Sequence, residues 1–226
     1  MVRVKVMKAV SAKNDEVAAA IRKELCERGI FTVNLISSPG SGKTTLLERT
    51  LTHFDPGGRT AVIVGDPFTP RDAERLEAAG ALAFQLNTEG ACHLTAPMVR
   101  AALDELDLAG VRLLFVENIG NLICPAAWDL GESSRVTILS VTEGTDKVDK
   151  YRRAFFTADC IIISKLDLAP HLDFDLPAVA SDISRINARA PVLPLSAKTG
   201  DGVAAWFEWL RAHLSGWQAG ALSRGD

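Results

Sequence analysis

Three groups of residues in this chain have the types and spacings that chemistry needs. The first is the run Ser37-Ser38-Pro39-Gly40-Ser41-Gly42-Lys43-Thr44-Thr45. Gly40 and Gly42 let backbone N–H groups turn inward around phosphate oxygens, with Ser38, Ser41 and Thr45 beside them. Lys43 is placed to bridge β- and γ-phosphates, and the Thr44 hydroxyl to take Mg²⁺. The general pattern asks for Gly at position 37, where this chain has Ser; the central G-x-G-K-T-T is intact. The plain alternative is a Gly-rich turn with an exposed lysine, and a strand before plus a helix after argue against it. Mg²⁺ needs further oxygen ligands, and two acids end apolar runs: Asp66 after TAVIVG and Glu117 after RLLFV. Either could also be a polar residue that merely ends a buried strand.

The second group would choose the base. Ser164-Lys165-Leu166-Asp167 follows the apolar run CIII, and Ser196-Ala197-Lys198 follows VLPL. In guanine sites of the form N-K-x-D, the acid accepts from guanine N1 and N2 protons while the lysine stem covers the ring. A hydrogen bond to a charged acceptor is worth about 1.5–3 kcal/mol, so Asp167 predicts a guanine preference of about 10–100-fold. Ser164 stands where that pattern has Asn and lacks the amide that would brace the loop, which predicts a looser base site.

The third group is Cys92, His93 and Cys124. Thiolate, imidazole and thiolate suit Zn²⁺, or Ni²⁺ in a square-planar site. Three ligands leave such a site incomplete, so a water, a backbone nitrogen or a second subunit must finish it. Isolated Cys and His can equally be core side chains, and Cys26 and Cys160 are read as core thiols. His53, His171 and His213 read as surface or helix-cap residues.

Alternating elements must position these groups. Helical spacing covers residues 14–28, 44–51, 72–79, 97–106, 147–156, 176–187 and 203–214. Short apolar runs at 31–36, 60–64, 82–86, 112–116, 136–141, 161–163 and 192–195 read as strands. Continuously apolar strands alternating with helices predict an α/β fold, a doubly wound, mostly parallel sheet of about seven strands, as in P-loop NTPases. The loops carrying Cys92 and Cys124 follow the third and fourth strands, and adjacency of those strands would bring the loops together. Residues 1–30 read as a helical extension, 31–214 as a single nucleotide-binding core and 215–226 as a frayed tail.

The 226 residues carry 25 Lys plus Arg against 28 Asp plus Glu, a net charge of −3, which opposes a nucleic-acid partner. Hydrophobic residues at 47% and charged ones at 23% fit an ordered globular chain. No apolar run reaches the roughly 20 residues that span a bilayer, so no membrane partner is expected. The N-terminal residues lack a secretory pattern, and four cysteines with no C-x-x-C make no disulfide framework. A cytoplasmic location is expected.

The segments NLISSPGSGKTTLLE, EGACHL, ENIGNLICPA and VTEGTDK together resemble the hydrogenase maturation GTPases of the nickel-insertion (HypB) type, over residues 11–214. In that family Ser37 is the usual residue. The resemblance implies a GTPase metallochaperone that loads nickel into the large subunit of nickel–iron hydrogenase, with a nickel-delivering accessory protein as partner. It implies Ni²⁺ or Zn²⁺ at a dimer interface on Cys92, His93 and Cys124, a homodimer formed with GTP, and Lys147 reaching the partner's nucleotide. Cysteine-rich and histidine-rich nickel stretches of some members are lacking here, so nickel storage is not expected. Urease nickel GTPases are the neighbouring alternative, which EGACHL and ENIGNLICPA fit less well. A small-molecule kinase would share the phosphate loop and carboxylates but prefer ATP and need an Arg-rich lid, and no such segment is found.

Overall fold

The computed structural model describes residues 2–65, 71–88 and 90–218, with side chains from residue 11 onward. Seven strands pair in one wholly parallel sheet: β1 (Phe31–Ser37), β2 (Arg59–Gly65), β3 (Leu82–Leu86), β4 (Val111–Glu117), β5 (Ser134–Ser140), β6 (Cys160–Ser164) and β7 (Val192–Pro194). Their order across the sheet is β3-β2-β4-β1-β5-β6-β7. The helices are α1 (Val2–Glu27), α2 (Lys43–His53), α3 (Arg71–Ala78), α4 (Ala96–Glu105), α5 (Lys147–Lys150), α6 (Arg152–Phe156), α7 (Leu176–Ile186) and α8 (Val203–Gln218). Among the described residues no helix is long and apolar enough to cross a membrane.

The strands are predominantly apolar because both faces are covered, with Thr32, Asn34, Arg135 and Thr137 among the buried polar exceptions. In β4, Leu113 and Phe115 face a core shared with α2, α3 and α8, whereas Leu114 and Val116 face α1 and α4. A third cluster places α5, α6 and α7 against Ile161 and Ile163 of β6. Trp206 of α8 is fully buried and donates its indole N–H to Thr50 Oγ1 at 2.9 Å. Emptying that position with Trp206→Ala costs about 3–5 kcal/mol.

Four expectations are corrected. The third and fourth strands are not neighbours, because β2 lies between β3 and β4. Cys26 is exposed rather than a core thiol: Ala18, Ile21 and Leu25 take the inner face of α1, and the next residue points about 100° away. His213 is half-buried, not a surface residue, with its ring 4.1 Å from Trp209 and 5.7 Å from Phe31. The expected helix over 147–156 is two short ones, broken at Tyr151, which leaves helical geometry (φ −115°, ψ 37°). β1 lies fourth of the seven strands, and the chain leaves it toward β2 on one side and later returns as β5 on the other. Ligands of open α/β sheets collect beyond the strand ends at such a switch point, and residues 37–45 follow β1 there.

Candidate nucleotide and metal sites

Gly40 and Gly42 take positive φ (69° and 94°), the turn that carries the chain from β1 into α2. The loop is braced from three sides. Lys43 is buried, and its Nζ donates to Ser37 Oγ at 2.9 Å, so the serine at the position of the missing glycine serves the loop lysine directly. Ser41 Oγ donates to Glu143 Oε1 at 2.7 Å, and that carboxylate also caps the turn after β5 by accepting from Ser140 N. Ser164 Oγ donates to the Ser41 carbonyl at 2.7 Å, so the hydroxyl supplies the bracing that serine was expected to forfeit. The sequence reading missed Glu143, although a capping box after a buried strand would have flagged it.

The loop separates two cavities, with Gly42 and Thr45 lining both. One, of about 560 Å³, holds Gly40, Lys43, Thr44 and Glu117. Thr44 Oγ1 donates to Glu117 Oε1 at 2.7 Å, while Glu117 Oε2 is buried without a hydrogen-bond partner. Burial pushes the Glu117 carboxyl up to about 7, against the pull of Lys43 and Thr44. A buried carboxylate with one idle oxygen beside a threonine hydroxyl fits Mg²⁺, which would supply the missing positive charge. Asp66, the other expected ligand, lies outside the described residues. The same cavity is lined by Asp72 and Arg75 of α3, which sequence reasoning did not single out. Arg75 is held by Glu48 at 2.9 and 2.7 Å and by Asp72 at 3.1 Å. The available signal was an acid and an arginine one helical turn apart just beyond the carboxyl end of β2.

The other cavity, of about 250 Å³, is lined by Lys165, Asp167, Ser196, Ala197 and Lys198. Asp167 Oδ1 accepts from Ser196 Oγ at 2.6 Å, which joins the two base loops. Among the described residues only Lys165 combines a side chain with positive φ (59°), a conformation usually sustained by functional constraint. Arg49 of α2 donates to the carbonyls of Ala197 and Lys198 at 2.9 and 3.0 Å, tying the second base loop to the phosphate-loop helix.

The ligand atoms of Cys92, His93 and Cys124 all lie within 4.8 Å of one another. Strand adjacency is not the cause. After β3 the chain crosses the end of β2, where Leu94 packs on Gly65 so closely that a Cβ there would sit 2.9 Å from it. Cys92 Sγ is 3.4 Å from His93 Nδ1, and the His93 ring stacks on Trp128 at 4.9 Å. Burial lowers the His93 pKa, which keeps the ring neutral as a ligand must be. The Cys92 thiol is held up chiefly by its hydrogen bond to Cys124. Two thiols sharing a hydrogen bond beside a neutral imidazole are a donor set that a soft or borderline divalent ion can occupy, releasing protons. Lys147 opens α5 with Nζ 5.8 Å over the Tyr151 ring and lines neither cavity.

A central glycine loop, a helix continuing it and a carboxylate-ended neighbouring strand define a P-loop nucleotide-binding protein. The family model described as "CobW/HypB/UreG, nucleotide-binding domain" matches residues 31–194. The hydrogenase maturation factor HypB of Rhizobium leguminosarum bv. viciae is 46% identical over 207 residues, covering 92% of this chain and 69% of that protein. HypB of Escherichia coli K12 is 43% identical, over 88% and 68% of the two chains. The crystal structure of HypB from Helicobacter pylori in complex with nickel superposes with a TM-score of 0.86 at 37% identity, covering 95% of this chain and 99% of that one. HypB from Archaeoglobus fulgidus gives 0.84 at 38% identity, over 90% and 99%. The chain belongs to the CobW/HypB/UreG family and, within it, to the HypB hydrogenase maturation factors.

Proposed function

We propose that the chain is a GTP-binding and GTP-hydrolysing metallochaperone that carries Ni²⁺ or Zn²⁺ on Cys92, His93 and Cys124. Its role is to assist nickel insertion into the large subunit of nickel–iron hydrogenase, in the cytoplasm, with metal received from a nickel-delivering accessory protein. The observation that carries this reading is one short segment. It begins at Glu117, on the phosphate-loop threonine, and ends at Cys124, in the soft-donor cluster. A group that responds to the γ-phosphate and a group that holds the cargo are thus eight residues of one loop.

Lys43 and the N–H groups of Ser38 and of Gly40 to Thr45 hold the phosphates, with Mg²⁺ on Thr44 and Glu117 and with Asp72 in the same cavity. Asp167 reads guanine within the frame of Lys165, Ser196, Ala197 and Lys198. Hydrolysis adds water to the γ-phosphorus as its bond to the β,γ-bridging oxygen breaks, leaving GDP and phosphate. No glutamine follows Glu117 to orient that water, so intrinsic turnover stays below ~1 s⁻¹. A three-donor site with Cys92 exposed is completed by a second copy about a two-fold axis, and Ile123, 64% exposed beside Cys124, offers apolar contact there. In the GTP-bound homodimer Lys147 serves the partner's nucleotide. The relative from H. pylori, solved with nickel, supports this assignment.

Sedimentation of wild type and Cys92→Ala with Ni²⁺ or Zn²⁺, under a GTP analogue and under GDP, tests it. The wild type is expected to dimerise and retain metal differently in the two nucleotide states. Identical metal stoichiometry and dimer fraction in all conditions overturns the reading.

A further inference from the structure

The two arms of the soft-donor cluster come from different strands, and between them stand two asparagines three residues apart. Asn118 is 1% exposed, and its Oδ1 accepts from Leu94 N at 3.2 Å. Asn121 Nδ2 donates to the Cys92 carbonyl at 3.2 Å. Together they grip the Cys92–Leu94 arm on both sides of His93. The loop that bears them also meets the phosphate loop twice: Glu117 through Thr44, and Gly120 against Pro39, where a Cβ would come within 2.8 Å of the Pro39 Cα.

The amide of Asn118 does two jobs that no other side chain of its size can combine. Its Nδ2 donates to Asn34 Oδ1 of β1 at 3.2 Å while its oxygen accepts from Leu94 and Ile119. Its own N–H is bonded to the Leu35 carbonyl at 3.1 Å, a few residues before the phosphate loop. Asp would lose the donation to Asn34. An apolar residue would strand a buried N–H and a buried carbonyl.

We propose that Asn118 and Asn121 are positioning residues that bind the Cys92–His93 arm to the Glu117–Cys124 loop, so that the cluster follows Glu117 as one body. Neither side chain is a donor of the cluster, and although Asn118 borders the phosphate-side cavity its amide is taken up by Asn34, Leu94 and Ile119. A ligand that shifts Glu117 then moves both arms together, and the difference in metal affinity between nucleotide states passes through these two amides. This rests on the function proposed above and names the residues that transmit it.

The test is the ratio of Zn²⁺ affinities, read by competition with a chromophoric chelator, under Mg²⁺ with a hydrolysis-resistant GTP analogue and under Mg²⁺ with GDP. Wild type is expected to give a ratio of about 5–150-fold, in either direction, and linkage requires the same ratio when nucleotide affinity is read with and without Zn²⁺. Asn121→Ala is expected to bring the ratio at least about threefold nearer to 1, and Asn118→Ala to within about twofold of 1. A purely structural role would weaken both affinities alike and leave the ratio standing, which overturns the proposal. Asn121 lies near the surface, so Asn121→Ala carries the test if the buried Asn118 variant fails to fold. A wild-type ratio of 1 overturns the function itself, and the staple with it.

Discussion

The two cavities beside the phosphate loop are built on opposite plans. On the base side three ties hold the loops: Asp167 to Ser196, Ser164 to Ser41, and Arg49 to the carbonyls of Ala197 and Lys198. On the ion side, in the second cavity and in the sulfur cluster beyond it, some donors are left exposed or idle. Glu117 keeps an unpartnered oxygen, and Cys92 and Cys124 satisfy each other. A site that must recognise one base gains from being preformed, since little ordering remains to be done on binding. A site that must take up and give away an ion cannot be so well satisfied when empty. The contrast teaches which half of the molecule is built to stay still.

The largest way to break this contrast lies under the ion side. Glu132, fully buried, pairs with Arg135 at 2.6 Å, and Arg135 donates to the Ala126 and Trp128 carbonyls of the Cys124 loop. Glu132→Ala leaves that guanidinium unpaired and should cost about 3–5 kcal/mol by denaturant unfolding. A loss under about 1 kcal/mol would mean that the ion side is loose to its root. Next, Cys124→Ala should weaken Zn²⁺ or Ni²⁺ binding more than about 100-fold, since removing even a residue behind a ligand costs 10–100-fold. GTP-analogue affinity measured without Zn²⁺ or Ni²⁺ is the control, with a change of under about threefold expected.

Asp167→Ala sharpens the other half. It should erase a GTP-over-ATP preference of about 10–100-fold in nucleotide competition. A smaller effect follows from Glu117, whose carboxyl titrates near 7 in the folded protein and near 4.5 when free. The native state holds more protons between those values, so stability of the nucleotide-free protein falls as pH rises from about 4.5 to about 7. Glu117→Gln should flatten that slope, as thermal unfolding across the range would report. Smallest is a labelling contrast. Burial raises the Cys160 thiol well above its ordinary range, so alkylation should modify Cys26, Cys92 and Cys124 in the folded protein and Cys160 only on unfolding.

Much of the nucleotide half was legible in the chain. The phosphate loop, Glu117, Lys165, Asp167 and Ser196 are local motifs, each contained in a few residues after an apolar run, and local backbone geometry dictates where they point. Asp72, Arg75, Arg49 and Glu143 were not legible as site residues, because each acts through a partner far along the chain. Cys26 shows the limit of periodicity: the end of α1 was read to within a residue while its start was placed twelve residues late and one position on it was put on the wrong face.

The sequence alone determined the seven strands, most of the helices between them and the chemistry each loop can perform, since periodic burial and turn residues are properties of short stretches. Which strands lie side by side was decided only by the tertiary structure. The order β3-β2-β4 put β2 between the two loops that carry the sulfurs. Their meeting then depended on Leu94 passing over Gly65 and on asparagine amides closing the gap. Such pairings are contests between distant segments for the same neighbours, and their outcome depends on the packing of the whole sheet rather than on any one stretch of it.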